Sequence, residues 1–225
     1  MTVLRRIDYN LIECKANKLL SEYFERYQKP FEGPIPIDHI LEFLGYDIEF
    51  KSNGIYEDKN ILGGLLPNKY KIELNESLHN QEGRMNFTIA HEIGHIVLHS
   101  EADKLRARDC REGMANVWEG ASYGYYKTEA EADAFAAALL MPRKIVEEVF
   151  FSIYDKEINL RKLSFFDILT GKTKRFKGLN IAAKLKEKSQ LSNVSKLSIL
   201  NRLITLNLIK GLRFQKNIEY KKRKV

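Results

Sequence analysis

The chain has 225 residues, 44% of them hydrophobic and 30% charged, with a formal net charge of +7. Such a composition supports one sizeable core, or a catalytic domain plus a small appendage, and excludes a disordered chain. No apolar run approaches the roughly 18 residues of a membrane span, Met1 to Asn10 lacks a secretion signal, and two cysteines, Cys14 and Cys110, cannot build a disulfide framework. A cytoplasmic protein with plain thiols is the expectation.

From Asp8 to Tyr27, apolar Leu11, Ile12, Ala16, Leu19, Leu20, Tyr23, Phe24 and Tyr27 share one helical stripe and predict a packing helix. The proline-rich run from Lys29 to Pro36 reads as a stiff connector. Asp38 is placed to cap a short helix ending before Gly45, with Tyr46 to Phe50 as a strand. His39 in that helix is read as a packing or surface residue. Ile61 to Leu66 and Tyr70 to Leu74 predict two strands joined at Pro67-Asn68-Lys69, the edge of a small antiparallel sheet. A strand edge of this kind can bind an extended peptide by strand addition. His79 has no spacing that makes it a metal ligand.

The next stretch, Phe87 to His99, contains His91-Glu92-Ile93-Gly94-His95. On a helix the i, i+4 spacing stacks His91 over His95, so both imidazoles can reach one tetrahedral zinc ion. Met85, Ile89, Ile93 and Ile96 recur at helical spacing and bury one side of the element. A buried helix carrying two histidines and a glutamate needs something to satisfy them. Glu92 projects beside the ion, where its carboxylate can take a proton from water acidified to a pKa of about 7. The implied chemistry is hydrolysis of a peptide bond. Ligand type alone admits manganese as well as zinc. His99 lies two turns beyond His91, about 12 Å along a continuing helix by the 1.5 Å rise per residue, and is read as an outer-shell or packing residue.

Ser100 to Lys127 is a polar stretch with weak periodicity that holds Trp118, Tyr123, Tyr125 and Tyr126, the pattern of a functional loop. A tyrosine hydroxyl from it could stabilise an oxyanion. Thr128 to Met141 then forms a second strong helix, stopped by Pro142. Thr128 and Glu131 fit a capping box, which occupies Glu131 and leaves Glu129 as the free carboxylate for the metal. Glu131 as the ligand, with Glu129 merely favoured by the helix dipole, is the competing assignment. Asp133, one turn after Glu129, can accept the second ring N–H of a ligating histidine.

With both helices in hand, the sequence resembles the ImmA/IrrE family of zinc metallopeptidases. The matching stretches are Arg84 to His95, Leu98-His99, and Glu129 to Pro142, within a similarity covering roughly residues 34 to 150. The resemblance implies a zinc-dependent peptidase with His91, His95 and Glu129 as ligands and Glu92 as the catalytic base. It further implies a helix-turn-helix transcriptional repressor as substrate, so that cleavage releases genes of a mobile element or a stress response. The family often has Asn where this chain has Asp133, a change expected to alter zinc acidity. The stretch from Ser100 to Lys127 is long for the family and is expected to shape the substrate groove.

Past Pro142 the likeness weakens. Ile181 to Lys188 and Val194 to Leu208 are helical patterns, and Val194-Ser195 with Arg202-Leu203 is similar to a segment that follows the catalytic helices in relatives. The turn between them is longer than in a standard helix-turn-helix. Residues 171–225 carry 16 Lys and Arg against 2 Asp and Glu, whereas residues 1–170 carry 21 against 28. A tail this basic usually marks an electrostatic partner, nucleic acid or an acidic protein surface, with solubility alone as the alternative. Lys221 to Lys224 reads as a frayed end. The expected architecture is α+β, a zincin-like metallopeptidase domain with a small antiparallel sheet and a basic helical C-terminal extension. Its parts are a packing helix at 1–30, the catalytic domain at 31–150 and the basic helical region at 151–225. The competing function is a non-catalytic regulator that binds a repressor or toxin, or binds DNA through residues 171–225.

Overall fold

A computed structural model describes residues 7–28, 33–55, 60–100, 122–162 and 172–213, with only the backbone for 122–126. The chain divides into two compact units, Met1–Leu140 and Met141–Val225. Among the described residues there are seven helices and a small three-stranded sheet, an α+β arrangement. No helix among them is long and apolar enough to cross a membrane.

In the first unit, α1 (Tyr9–Tyr27) starts where Asp8 accepts hydrogen bonds from the Asn10 and Leu11 amides at 3.1 and 3.0 Å. These satisfy donors that a helix start leaves unpaired. Ile12, Ala16, Leu19, Leu20 and Tyr23 form its buried stripe, and the helix packs against the later helix Ser122–Leu140. The next helix, α2 (Ile37–Phe43), begins two residues earlier than a cap at Asp38 would place it. Pro36 is the N-cap, its carbonyl accepting from the Ile40 amide at 3.0 Å, so Asp38 lies inside the first turn. His39 packs among aromatic rings and pairs with the Tyr23 hydroxyl at 2.7 Å. Gly45, at φ +81°, turns the chain out of the helix in a conformation that suits glycine.

The sheet contains β1 (Asp47–Lys51), β2 (Gly63–Leu66) and β3 (Lys71–Asn75), in the order β1-β3-β2. The strands β2 and β3 are antiparallel across a short turn at Pro67–Lys69, as expected. The fully antiparallel expectation is corrected by β1, which runs parallel to β3 with Ile48 opposite Ile72. The central strand buries Ile72 and Leu74 completely and needs hydrogen-bonded neighbours on both sides. A tight turn forces β2 to be antiparallel, but nothing local sets the direction of β1. His79 stacks on Phe50 at 4.2 Å, a packing role.

Two helices complete this unit, α3 (Glu82–Leu98) and α4 (Ser122–Leu140). Ile89 and Ile93 on α3, and Phe135 and Leu139 on α4, are buried. Full burial of each such side chain contributes about 1.5–3 kcal/mol. The two helices pack tightly because Gly94 faces Ala132: a Cβ on Gly94 would lie 3.0 Å from the Ala132 Cα.

In the second unit, α5 (Arg143–Ile153) follows Pro142 at its N-cap. Two further helices, α6 (Lys174–Lys188) and α7 (Lys196–Thr205), are capped by Thr173 and Ser195, each accepting from an amide three residues on. A pair of two-residue strands, β4 (Ile158–Asn159) and β5 (Ile209–Lys210), runs parallel. Buried Arg202 donates from Nε to the Met141 carbonyl at 2.9 Å, which gives that residue a structural role. The Lys221–Lys224 end, Trp118 and Cys110 lie outside the described residues, as does most of the Ser100–Lys127 stretch.

Candidate metal centre

One turn of α3 separates His91 from His95, and their rings meet edge to face with centroids 4.8 Å apart. Their Nε2 atoms lie 3.0 Å from each other. From α4, Glu129 reaches both: Oε2 is 3.4 Å from His91 Nε2 and Oε1 is 3.3 Å from His95 Nε2. Zinc bonds of 2.0–2.1 Å in tetrahedral geometry place ligand atoms about 3.3–3.4 Å apart. Each nitrogen has a carboxylate oxygen of Glu129 near that spacing, and one ligand atom from each of the three residues lies within 4.8 Å of the others, so the donor set fits a metal ion such as zinc. These three side chains are the metal-competent cluster among the described residues.

Electrostatics at the cluster favour a cation. Burial works against charge on His91, but hydrogen bonds to Asp133 and Glu129 and the charge of Glu92 outweigh it, pushing the imidazole up to about 10. Without an ion, a proton therefore neutralises the carboxylates that gather here. Asp133 Oδ1 lies 2.9 Å from His91 Nδ1, on the ring edge away from the cluster. Glu92 is buried, 1% exposed, on the same turn as His91.

The capping pair is used differently from its sequence reading. The second helix begins at Ser122, so Thr128 is interior to it and the Thr128–Glu131 capping box does not form. Glu131 instead lies 3.3 Å from His99 Nε2 and 3.4 Å from Lys127 Nζ. His99, read as an outer-shell or packing residue, follows the last residue of α3 one turn after His95, with Nδ1 3.0 Å from His95 Nδ1. The weak helix propensities of Ser122-Tyr123-Gly124-Tyr125-Tyr126 hide the extra helical turns. The side chains of Tyr123, Tyr125 and Tyr126 are outside the described atoms.

Gly63 on β2 is a further neighbour that pattern reading passed over. A Cβ there would lie 2.5 Å from Thr88 Cγ2 and 3.3 Å from Glu92 Oε1. A glycine pair in a strand, Gly63-Gly64, is the available signal for such a close approach.

Comparison with known proteins places this geometry in a family. The protein-family model for the IrrE N-terminal-like domain matches residues 52–164. The chain is 28% identical over 149 residues to an uncharacterized immunity region protein 2 of Bacillus phage phi105, covering 66% of this chain and 79% of the relative. It is 32% identical over 102 residues to metallopeptidase ImmA of Bacillus subtilis (strain 168), covering 42% of this chain and 52% of that protein. The matched region contains both helices that carry the cluster, and on that basis the chain belongs to the ImmA/IrrE family of metallopeptidases.

Proposed function

We propose that this protein is a zinc-dependent endopeptidase with a zincin-like catalytic domain, acting in the cytoplasm on a helix-turn-helix transcriptional repressor. The observation that carries the reading is the convergence of two imidazole nitrogens and a carboxylate from two helices at 3.0–3.4 Å, with buried Glu92 alongside. His91, His95 and Glu129 hold the ion. When bound, zinc supplies the Lewis acidity that polarises a peptide carbonyl and acidifies water. The Glu92 carboxylate takes the proton from the attacking water and later delivers it to the departing amine nitrogen. Its burial keeps solvent from screening that charge, which strengthens its interaction with the reacting atoms. Asp133 holds the His91 ring by its outer nitrogen.

The β2 strand lies at the sheet edge among the described residues, and its Gly63 adjoins Glu92. An extended peptide added to that edge would be held by backbone hydrogen bonds close to the base. A repressor as substrate is supported by the family resemblance and by the immunity region named for the phage relative.

The competing reading is a regulator that sequesters a repressor or toxin, with the ion serving stability. Intact-mass analysis of candidate repressors incubated with the protein separates the two. A peptidase yields fragments that vanish on chelation; a pure binder yields none. Glu92→Gln is expected to slow cleavage by about 10²–10⁴-fold, the usual worth of a general base, and to retain zinc. Cleavage at the parental rate by this variant removes Glu92 from the mechanism.

A further inference from the structure

We propose that His99 and Glu131 form a positioning relay for His95, and that this less exposed arm contributes more to holding the ion than the exposed Asp133 contact on His91. The inference rests on the reading of His91, His95 and Glu129 as ligands. Helix α3 ends at Leu98, and His99 takes the C-cap in an extended conformation, φ −112° and ψ 149°. Its ring follows His95 by one turn, with centroids 5.0 Å apart and the two Nδ1 atoms at 3.0 Å. The other ring nitrogen lies 3.3 Å from Glu131 Oε2, and Glu131 Oε1 lies 3.4 Å from Lys127 Nζ.

Counting hydrogens fixes the direction of this chain. His95 turns Nε2 into the ligand cluster, so a metal-bound His95 carries its hydrogen on Nδ1 and donates it to His99 Nδ1. A neutral imidazole that accepts at Nδ1 bears its own hydrogen on Nε2, which then donates to Glu131 Oε2. One tautomer of each ring satisfies the whole chain. The relay thus holds the His95 ring in its ligating orientation and makes its Nε2 a more basic ligand for the ion.

The two arms differ in their exposure to water. The Asp133 side chain is 61% exposed, whereas those of Glu131 and His99 are 18% and 5% exposed. Water competes with and screens a hydrogen bond to an exposed carboxylate, and does so less at a less exposed one. Loss of the His99–Glu131 arm therefore weakens zinc binding more than loss of Asp133.

Zinc affinity of the full chain, measured against a chromophoric chelator, tests the relay alongside the visible spectrum of the cobalt-substituted protein. Glu131→Ala and His99→Phe are expected to lose about 10–100-fold in affinity, the usual worth of such outer contacts, with displaced cobalt bands. His99→Gln, whose amide can accept from His95 and donate to Glu131, recovers most of the loss. Asp133→Ala loses less than Glu131→Ala. His99→Phe keeps the ring volume without nitrogens, so simple packing predicts parental affinity for it. Parental affinity in both His99→Phe and Glu131→Ala, or a larger loss in Asp133→Ala, overturns the relay. His95→Ala is the control: zinc retained there defeats the ligand reading itself, while zinc lost there alone defeats only the relay. Glu131 is partly exposed, so Glu131→Ala keeps the test available if His99→Phe does not fold, which the metal-free melting temperature reports.

Discussion

A proton and a metal ion compete for the same nitrogen of His91. Burial opposes charge on this ring, yet the Asp133 and Glu129 carboxylates hold it protonated up to about pH 10. The folded value lies above the ordinary 6.5, so the proton stabilises the metal-free fold fully below about pH 6.5. That contribution is lost as pH rises through about 10. The melting temperature of the metal-free protein should therefore fall across this window, while that of the zinc-loaded protein should not follow the same slope. Zinc affinity should rise over the same interval, because each ion must displace the proton. Calorimetry in buffers of different ionisation enthalpy reads that proton directly. Proton release that is absent throughout the window would contradict the assignment of His91 as a ligand. The single-turn stacking of His91 on His95 follows from residue spacing alone. The companion of the outer His91 nitrogen, Asp133, depends on where the second helix lies.

Between elements, the site depends on how closely α3 and α4 approach. Glu129 belongs to a different helix from the histidines, so a displacement of α4 separates the ligand atoms directly. Gly94 and Ala132 permit the approach, since an added Cβ would stand 3.0 Å from the Ala132 backbone, which would have to shift by a few tenths of an ångström. Gly94→Ala is expected to cost about 1–3 kcal/mol, the range for overpacking. It should also weaken zinc binding, because relief of the clash moves Glu129 away from His91 and His95. Chelator competition and thermal unfolding of the same variant give both numbers. Undiminished zinc affinity in a destabilised protein would show that the helix spacing is not what holds the ligands together. Ala132 suits that contact, because a small side chain lets two backbones come close while retaining high helix propensity.

For the molecule as a whole, the ligand residues all belong to the Met1–Leu140 unit. An ion at a hundred times its dissociation constant stabilises the folded state by about 2.7 kcal/mol. Hydrogen exchange should show where this acts: chelation should raise exchange in α3 and α4 and leave α6 and α7 unchanged. The charge distribution is equally divided in purpose, with an acidic excess before residue 170 and a basic one after it. A nucleic-acid role for residues 171–225 predicts retardation of duplex DNA that weakens steeply with salt, because phosphate contacts release counterions. Removal of the segment should abolish that retardation. Retardation that persists without it would assign DNA binding elsewhere.

The order of residues along the chain determined what each helix could offer: two imidazoles one turn apart, a carboxylate beside them, and Glu129 and Asp133 a turn apart on a second helix. These follow from the 3.6-residue period, a local property that needs no knowledge of neighbours. Tertiary structure decided the rest. It set the parallel direction of β1, the earlier start of α4, and the pairing of Glu131 with His99 rather than with a cap. Each joins groups distant in sequence or depends on packing, and strand direction or helix approach is chosen by burial of the whole core rather than by any short run of residues.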